Sequence, residues 1–151
     1  MEIQWSLKRF DSLSPDELYA LLQLRTEVFV VEQNCVFQDM DNKDKESHHL
    51  MGYKDGNLVA YTRLVPPGYI YQQASIGRVV TSPSVRRSGA GRLLMQESIA
   101  SLYALFGKQP IKIGAQLYLK KFYESFGFEQ ISDVYLEDGI EHIYMLKEDH
   151  S

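Results

Sequence analysis

Arg86-Arg87-Ser88-Gly89-Ala90-Gly91 stands between an apolar, strand-like stretch, Ser75-Ile76-Gly77-Arg78-Val79-Val80-Thr81, and a segment from Arg92-Leu93-Leu94-Met95 to Phe106 that carries the helical period. A glycine-containing turn that feeds a helix start presents several unpaired backbone N–H groups, and the helix dipole favours negative charge at the same point. The stretch is therefore suited to a phosphate or pyrophosphate. Gly89 and Gly91 allow close backbone approach, and Arg86 and Arg87 add positive charge. On spacing alone an ordinary strand-to-helix turn accounts for the pattern equally well, so the reading needs support from the rest of the chain.

The chain around this turn has 151 residues, enough for one domain with a substantial core. Its formal net charge of −4 gives no general basis for binding nucleic acid or an anionic membrane, and favours a cationic small molecule or peptide over a polyanion. No apolar run approaches a membrane span, and Met1-Glu2-Ile3-Gln4-Trp5 lacks the form of a signal peptide. A lone Cys35 cannot form an internal disulfide. These features point to a soluble, reducing, cytoplasmic setting.

Upstream of the turn, residues 3–10 alternate as a strand, and Ser14-Pro15-Asp16-Glu17 reads as a helix start with a capping hydroxyl, a first-turn proline and acids. That helix carries Leu18, Leu21, Leu22, Val28 and Phe29 on one stripe, with Arg25 among them. Gln38 to Glu46 reads as a solvated acidic loop. Strands at 48–54 and 58–65 meet at Asp55-Gly56, a hairpin signal, and Pro66-Pro67-Gly68 ends the pair. Downstream come a helix over about 90–106, a strand at Ile111–Ala115, a helix over 117–126 ending at Gly127, and strands at 131–137 and 141–147 about Asp138-Gly139. The layout is mixed α/β. A dinucleotide-binding domain would place its glycine turn after the first strand, whereas here it follows the fourth.

Together these segments resemble the GCN5-related N-acetyltransferase (GNAT) superfamily. Arg86-x-x-Gly89-x-Gly91 is similar to its pyrophosphate signature, and Phe122-Tyr123-Glu124-Ser125-Phe126-Gly127-Phe128 to its late helix-to-strand block. Leu24-Arg25, Val28 to Gln33, Ile76-Gly77-Arg78-Val79, Ala115-Gln116 and Glu137 to Ile140 with His142 resemble the ElaA-type subgroup. The likeness runs from Trp5 to about Met145. It implies an α/β, single-domain GNAT-like fold over residues 1–151, with a mixed, mostly antiparallel central sheet and helices on both faces, in the order β-α-(α)-β-β-β-α-β-α-β-β. It also implies an acetyl-coenzyme A-dependent N-acyltransferase, with acetyl-coenzyme A as co-substrate and an amine of a small molecule or peptide as acceptor, reacting by direct attack. Arg78, Val79 and Val80 would then meet the pantetheine arm, and the stretch Arg86, Arg87, Ser88, Gly89, Ala90, Gly91 and Arg92 the pyrophosphate. The alternative is a coenzyme-A-binding regulatory module with little or no turnover. Both a monomer and a homodimer stay open.

Acetyl transfer to an amine requires loss of the amine's proton, polarisation of the thioester, and a proton for the departing thiolate. A phenol of pKa about 10 can supply that proton to a thiolate whose thiol has a pKa of roughly 8.5. Tyr123, at the family's tyrosine position, is the candidate general acid, and Tyr118 is expected on a different part of the surface. Glu32, Asp41, His48, His49, Glu137, Asp138 and His142 are candidate bases, ranked Glu32, then His49, then His142. Water-mediated deprotonation, or binding of the neutral amine, remains an alternative to all of them. Arg25 needs a carboxylate partner, and an internal one (Glu32, Asp41 or another acid) is favoured over a substrate; the same choice applies to Arg63 and Arg78. Cys35 has no companions of a nucleophile and reads as a packing residue. Asp39, Asp41 and Asp44 lack the glycine and glutamate of a calcium loop, and the histidines lack zinc spacing, so no metal is expected. The acidic 38–48 region suits a cationic acceptor.

Overall fold

The computed structural model describes residues 2–149; Met1, His150 and Ser151, which the expected domain limits include, lie outside the described residues. In chain order the elements are β1 (Gln4–Arg9), α1 (Pro15–Arg25), β2 (His48–Lys54), β3 (Asn57–Val65), β4 (Ser75–Thr81), α2 (Ala90–Phe106), β5 (Ile111–Gln116), α3 (Lys120–Glu124), β6 (Phe128–Gln130), β7 (Tyr135–Glu137) and β8 (Ile140–Lys147). The class is mixed α/β with antiparallel sheets, as expected. One sheet has the order β1-β2-β3-β4, the other β5-β8-β6 with β7 also on β8. A single parallel bridge, Ala74 to Ile111, joins them, and the Lys112 N–H donates to the Ala74 carbonyl at 2.9 Å. Past that bridge β4 and β5 part, and the gap between them becomes the site.

Alternation along the strands assigns the two faces. Leu64, Ile76, Ile113, Ala115, Ile143 and Met145 pack with Met95 and Leu102 of α2, and Thr62 meets Ser98 of that helix at 2.7 Å. Met51, Tyr61 and Val80 point the other way, against Leu21 and Leu24 of α1 and Val28 beyond it. Helix α1 begins as expected. The Ser14 hydroxyl accepts from the Glu17 N–H at 3.1 Å, and the Glu17 carboxylate accepts from the Ser14 N–H at 2.8 Å. Both Asp-Gly pairs take positive φ at each central residue (52° and 80° at Asp55-Gly56, 51° and 78° at Asp138-Gly139), the geometry that matches strand twist in a two-residue hairpin.

Three elements differ from expectation. The first helix widens after Arg25 into a π segment, Thr26–Glu32, in which the N–H groups of Gln33 and Cys35 donate to Val28 and Val30, five residues back. The expected 117–126 helix is a 3₁₀ turn, Leu117–Leu119, followed by the short α3. Of the expected 131–137 strand only Tyr135–Glu137 forms, as β7, while a strand not expected, β6, precedes it at Phe128–Gln130. Between them the Ser132 hydroxyl accepts from the Tyr144 N–H at 2.9 Å, so a side chain replaces a ladder partner.

Candidate active site

The glycine turn is built by backbone conformation. Arg87 (φ 65°) and Gly89 (φ 88°) both lie in the left-handed region, and Gly89 precedes α2, whose first turn has no side-chain cap. The Leu93 N–H is the one that closes back on Gly89, so the N–H groups before it have no intrahelical carbonyl to bond, an arrangement suited to an anion. The Ser88 hydroxyl donates to the Val85 carbonyl and steadies the turn. Ala90 is buried beside Val59 and Val85, whereas Gly91 stands open, with only the Phe122 ring 3.7 Å from where its Cβ would be. Gly89→Val forces a branched side chain into positive φ, at a cost of about 1–3 kcal/mol. We expect it to weaken coenzyme A binding at least tenfold by titration calorimetry, while Gly91→Ala changes it little.

A cleft of about 780 Å³ runs from this turn through the gap between β4 and β5. Its walls include Arg78, Val79, Val80, Arg86 and Gly91, with Gly114 and Gln116 opposite, and Tyr118, Tyr123 and His142 also line it. Strand β4 bulges where it turns toward the cleft: Gly77 pairs with Arg63 and Val80 with Tyr61, so Arg78 and Val79 together face Thr62. Arg78 takes φ 50° in that bulge, and its guanidinium turns away to Asp39 (2.8 Å) and Asp41 (3.3 Å). Arg92 lies over the Phe126 ring at 4.6 Å and donates to Ser125, while Arg87 remains exposed.

The candidate catalytic residues separate sharply. Tyr123 is 5% exposed, its ring packed edge-on against Phe122 and Phe128, and burial first, with Tyr118 nearby second, pushes its phenol well above the usual range. Tyr118, expected elsewhere, lines the same cleft, because a 3₁₀ turn advances by about 120° per residue and rotates it relative to α3. Glu32, ranked first as a base, is tied to Arg86 by two hydrogen bonds of 2.5 and 2.6 Å, which hold its carboxyl below the ordinary carboxylate range. A carboxylate so held is a weaker proton acceptor, and Arg86 shares its charge with Glu32. His49 is fully buried among core groups. Its Nε2–H donates to the Asp44 carbonyl at 2.9 Å and its Nδ1 accepts from the Tyr61 hydroxyl at 2.6 Å; desolvation holds its pKa down. With both nitrogens engaged away from the cleft, His49 is a structural residue.

His142 does line the cleft. Its Nδ1–H donates to the Ile140 carbonyl at 2.8 Å, so the neutral ring carries its lone pair on Nε2, which faces the Glu137 carboxylate at 3.6 Å. The Tyr135 ring stacks on it at 5.7 Å. Cys35 packs as expected, its thiol donating to the Asp138 carbonyl. Gln33 and Gln116, which fall in segments of the subgroup resemblance but were given no role there, meet across the cleft at 3.4 Å.

Three aspartates of the acidic loop are turned inward onto arginines rather than left to solvent. Asp39 bridges Arg25 and Arg78, Asp41 bridges Arg78 and Arg63, and Asp44 bridges Arg63 and Arg25, a closed ring of alternating charge. Arg25 is fully buried, with Tyr61 beneath it. Burial raises the Asp41 carboxyl, but hydrogen bonds and charge from Arg63 outweigh that and hold it at about 2. The ring is neutral, so the expected attraction of this loop for a cationic acceptor does not hold. Among the described residues no His, Cys, Asp and Glu are grouped to hold a metal, and no helix is long and apolar enough to cross a membrane.

The acetyltransferase (GNAT) domain family matches residues 11–149. The chain is 42% identical to protein ElaA of Escherichia coli over 148 residues, 97% of each chain. The crystal structure of that protein aligns with a TM-score of 0.90 over 97% of this chain and 100% of the other. An acyl-CoA N-acyltransferase from Pseudomonas aeruginosa aligns with a TM-score of 0.92 at 44% identity, covering 97% of this chain and 99% of that one. An aminoglycoside 6′-N-acetyltransferase complexed with coenzyme A shares the fold, with a TM-score of 0.72 at 17% identity over 97% of this chain and 98% of that one.

Proposed function

This chain belongs to the acetyltransferase (GNAT) domain family, and we propose that it moves an acetyl group from acetyl-coenzyme A to an amine by direct attack on the thioester. One observation carries the reading: a single cleft links the uncapped start of α2, the bulged edge of β4, Tyr123 and His142. The co-substrate supplies an activated acyl carbon and a thiolate leaving group. The residues fit it. Backbone N–H groups from Arg87 to Arg92 would hold the pyrophosphate, and the bulge at Arg78 and Val79 leaves β4 backbone groups without ladder partners beside the pantetheine arm.

The proton steps follow from the side chains. His142 Nε2 accepts the amine's proton, directly or through water, and the Glu137 carboxylate stabilises the resulting imidazolium. Burial keeps Tyr123 protonated; it donates to the sulfur only as the carbon–sulfur bond breaks, and the phenolate takes back the proton that the attacking amine gave to His142 or to solvent. We expect His142→Gln to lower kcat/KM at least about tenfold with coenzyme A affinity unchanged. Glu32→Gln, in contrast, keeps kcat within about threefold, since that carboxylate is held by Arg86. Steady-state kinetics and calorimetry on the two variants check both; a kcat/KM within about twofold of wild type in His142→Gln removes histidine from the role.

A further inference from the structure

Consecutive residues tie the end of the π segment to both lips of the cleft. Glu32 is held by Arg86, ahead of α2, and Gln33 meets Gln116, the last residue of β5. The second tie is looser than the first. Each amide donates from its Nε2 to the other's Oε1, and both distances are 3.4 Å, beyond the ~2.9–3.0 Å of an ordinary N–H···O bond. A side-chain amide has two N–H donors and two lone pairs on its oxygen, so reciprocal pairing leaves one of each unused on either residue. Both glutamines are half-buried and line the cleft, so these unused groups are open to a molecule inside it.

The sheet register sets what Gln116 meets. It stands directly opposite His142 on β8, so the two side chains leave the same face as close neighbours, with Cβ atoms about 4.5–5.5 Å apart. The other face holds Ala115 and Ile143 in the α2 core. Three carboxylates of the cleft wall are committed elsewhere: Glu32 and Asp41 to arginines, and Glu137 to His142. The Gln116 oxygen is neutral, half used, and beside the histidine that takes the amine's proton.

We propose that Gln116 Oε1 accepts the second N–H of the attacking amine, and that Gln33 is the positioning residue that holds the Gln116 amide in place. The inference rests on the transferase reading and deepens it. As the lone pair of a neutral primary amine forms the carbon–nitrogen bond, the nitrogen becomes positive and carries two hydrogens. One leaves as a proton to His142 Nε2. The other stays in the product amide and donates to Gln116 throughout. With both hydrogens placed, the lone pair is aimed at the thioester carbon. The carbon–sulfur bond then breaks, and the thiolate takes the Tyr123 proton. A secondary amine has one N–H, which goes to His142, so the Gln116 contribution is lost.

Methylamine and dimethylamine, of nearly equal basicity and small enough for a narrow acceptor pocket, test this. Thiol release from acetyl-coenzyme A by the full chain is measured with each, and the ratio of kcat/KM is divided by the ratio of rates without protein. By this measure the wild type is expected to favour methylamine at least about tenfold. Gln116→Leu, similar in bulk, is expected to bring the preference to within about twofold of none. Gln33→Leu is expected to reduce it, and Gln33→Glu, whose carboxylate still accepts from Gln116 Nε2, to restore it. Coenzyme A affinity by calorimetry is expected to stay unchanged in all three variants. A pair that merely braces the π segment would slow both amines alike when broken. A preference that survives Gln116→Leu, or a wild type without one, therefore overturns the inference. Coenzyme A binding with neither amine acetylated overturns it too, but leaves the transferase reading standing; loss of coenzyme A binding in the wild type removes both.

Discussion

Tyr123→Phe is expected to lower kcat by at least about a hundredfold with coenzyme A affinity nearly unchanged, because positioned acid–base groups contribute about 10²–10⁴. The substitution removes one oxygen and keeps the ring. The edge-on contacts with Phe122 and Phe128, at 5.2 and 6.1 Å, are made by that ring, so thermal stability should hardly move. Burial keeps the phenol protonated well beyond neutrality, so the wild type holds its donor across the working pH range. Steady-state kinetics, calorimetry and a thermal melt on the same preparation separate these quantities. A loss of kcat accompanied by a large drop in melting temperature would assign Tyr123 a packing role instead.

Arg25→Met is the corresponding prediction for stability. The guanidinium is fully buried and reaches both Asp39 and Asp44 at 2.8 Å. Removing it leaves three aspartates with two arginines inside the protein, an uncompensated buried charge that costs about 3–5 kcal/mol. For a chain of this size the melting temperature should fall on the order of 10 °C. Arg9→Met breaks only an exposed pair with Asp11 at 3.7 Å and should cost less than about 1 kcal/mol. The ring also fixes acid sensitivity. Asp41 sits at about 2 and Asp44 is likewise depressed by Arg25 and Arg63, overriding their burial. Their stabilisation is complete above the unfolded value near ~3.9 and is lost as pH falls through the folded values. Denaturant titrations at falling pH should show stability declining between about pH 4 and pH 2, and a smaller decline in Arg25→Met.

What was legible in the sequence was whatever local chemistry dictates. Ser14, Pro15 and Glu17 fix a helix start within four residues, and the Asp-Gly pairs fix hairpins within two. The turn at Gly89 is legible as a turn because a glycine at positive φ ahead of an uncapped helix start is a local property. Long-range pairing was not legible. Arg25 on an apolar stripe shows that a partner is needed, but Asp39 and Asp44 lie 14 and 19 residues away in a loop that reads as solvated. The Glu32–Arg86 pair spans 54 residues and turns the first-ranked base into a strut. His49 and His142 look alike as strand histidines; only the sheet register and the layers above it bury one and open the other to the cleft.

The most direct test of the transferase assignment follows free thiol released from acetyl-coenzyme A, together with the mass of any amide formed, across amines of several classes at mildly alkaline pH. Thiol release that depends on an added amine, matched mole for mole by its N-acetyl product, is the predicted result. Folded protein that neither binds coenzyme A nor releases thiol with any amine would contradict it.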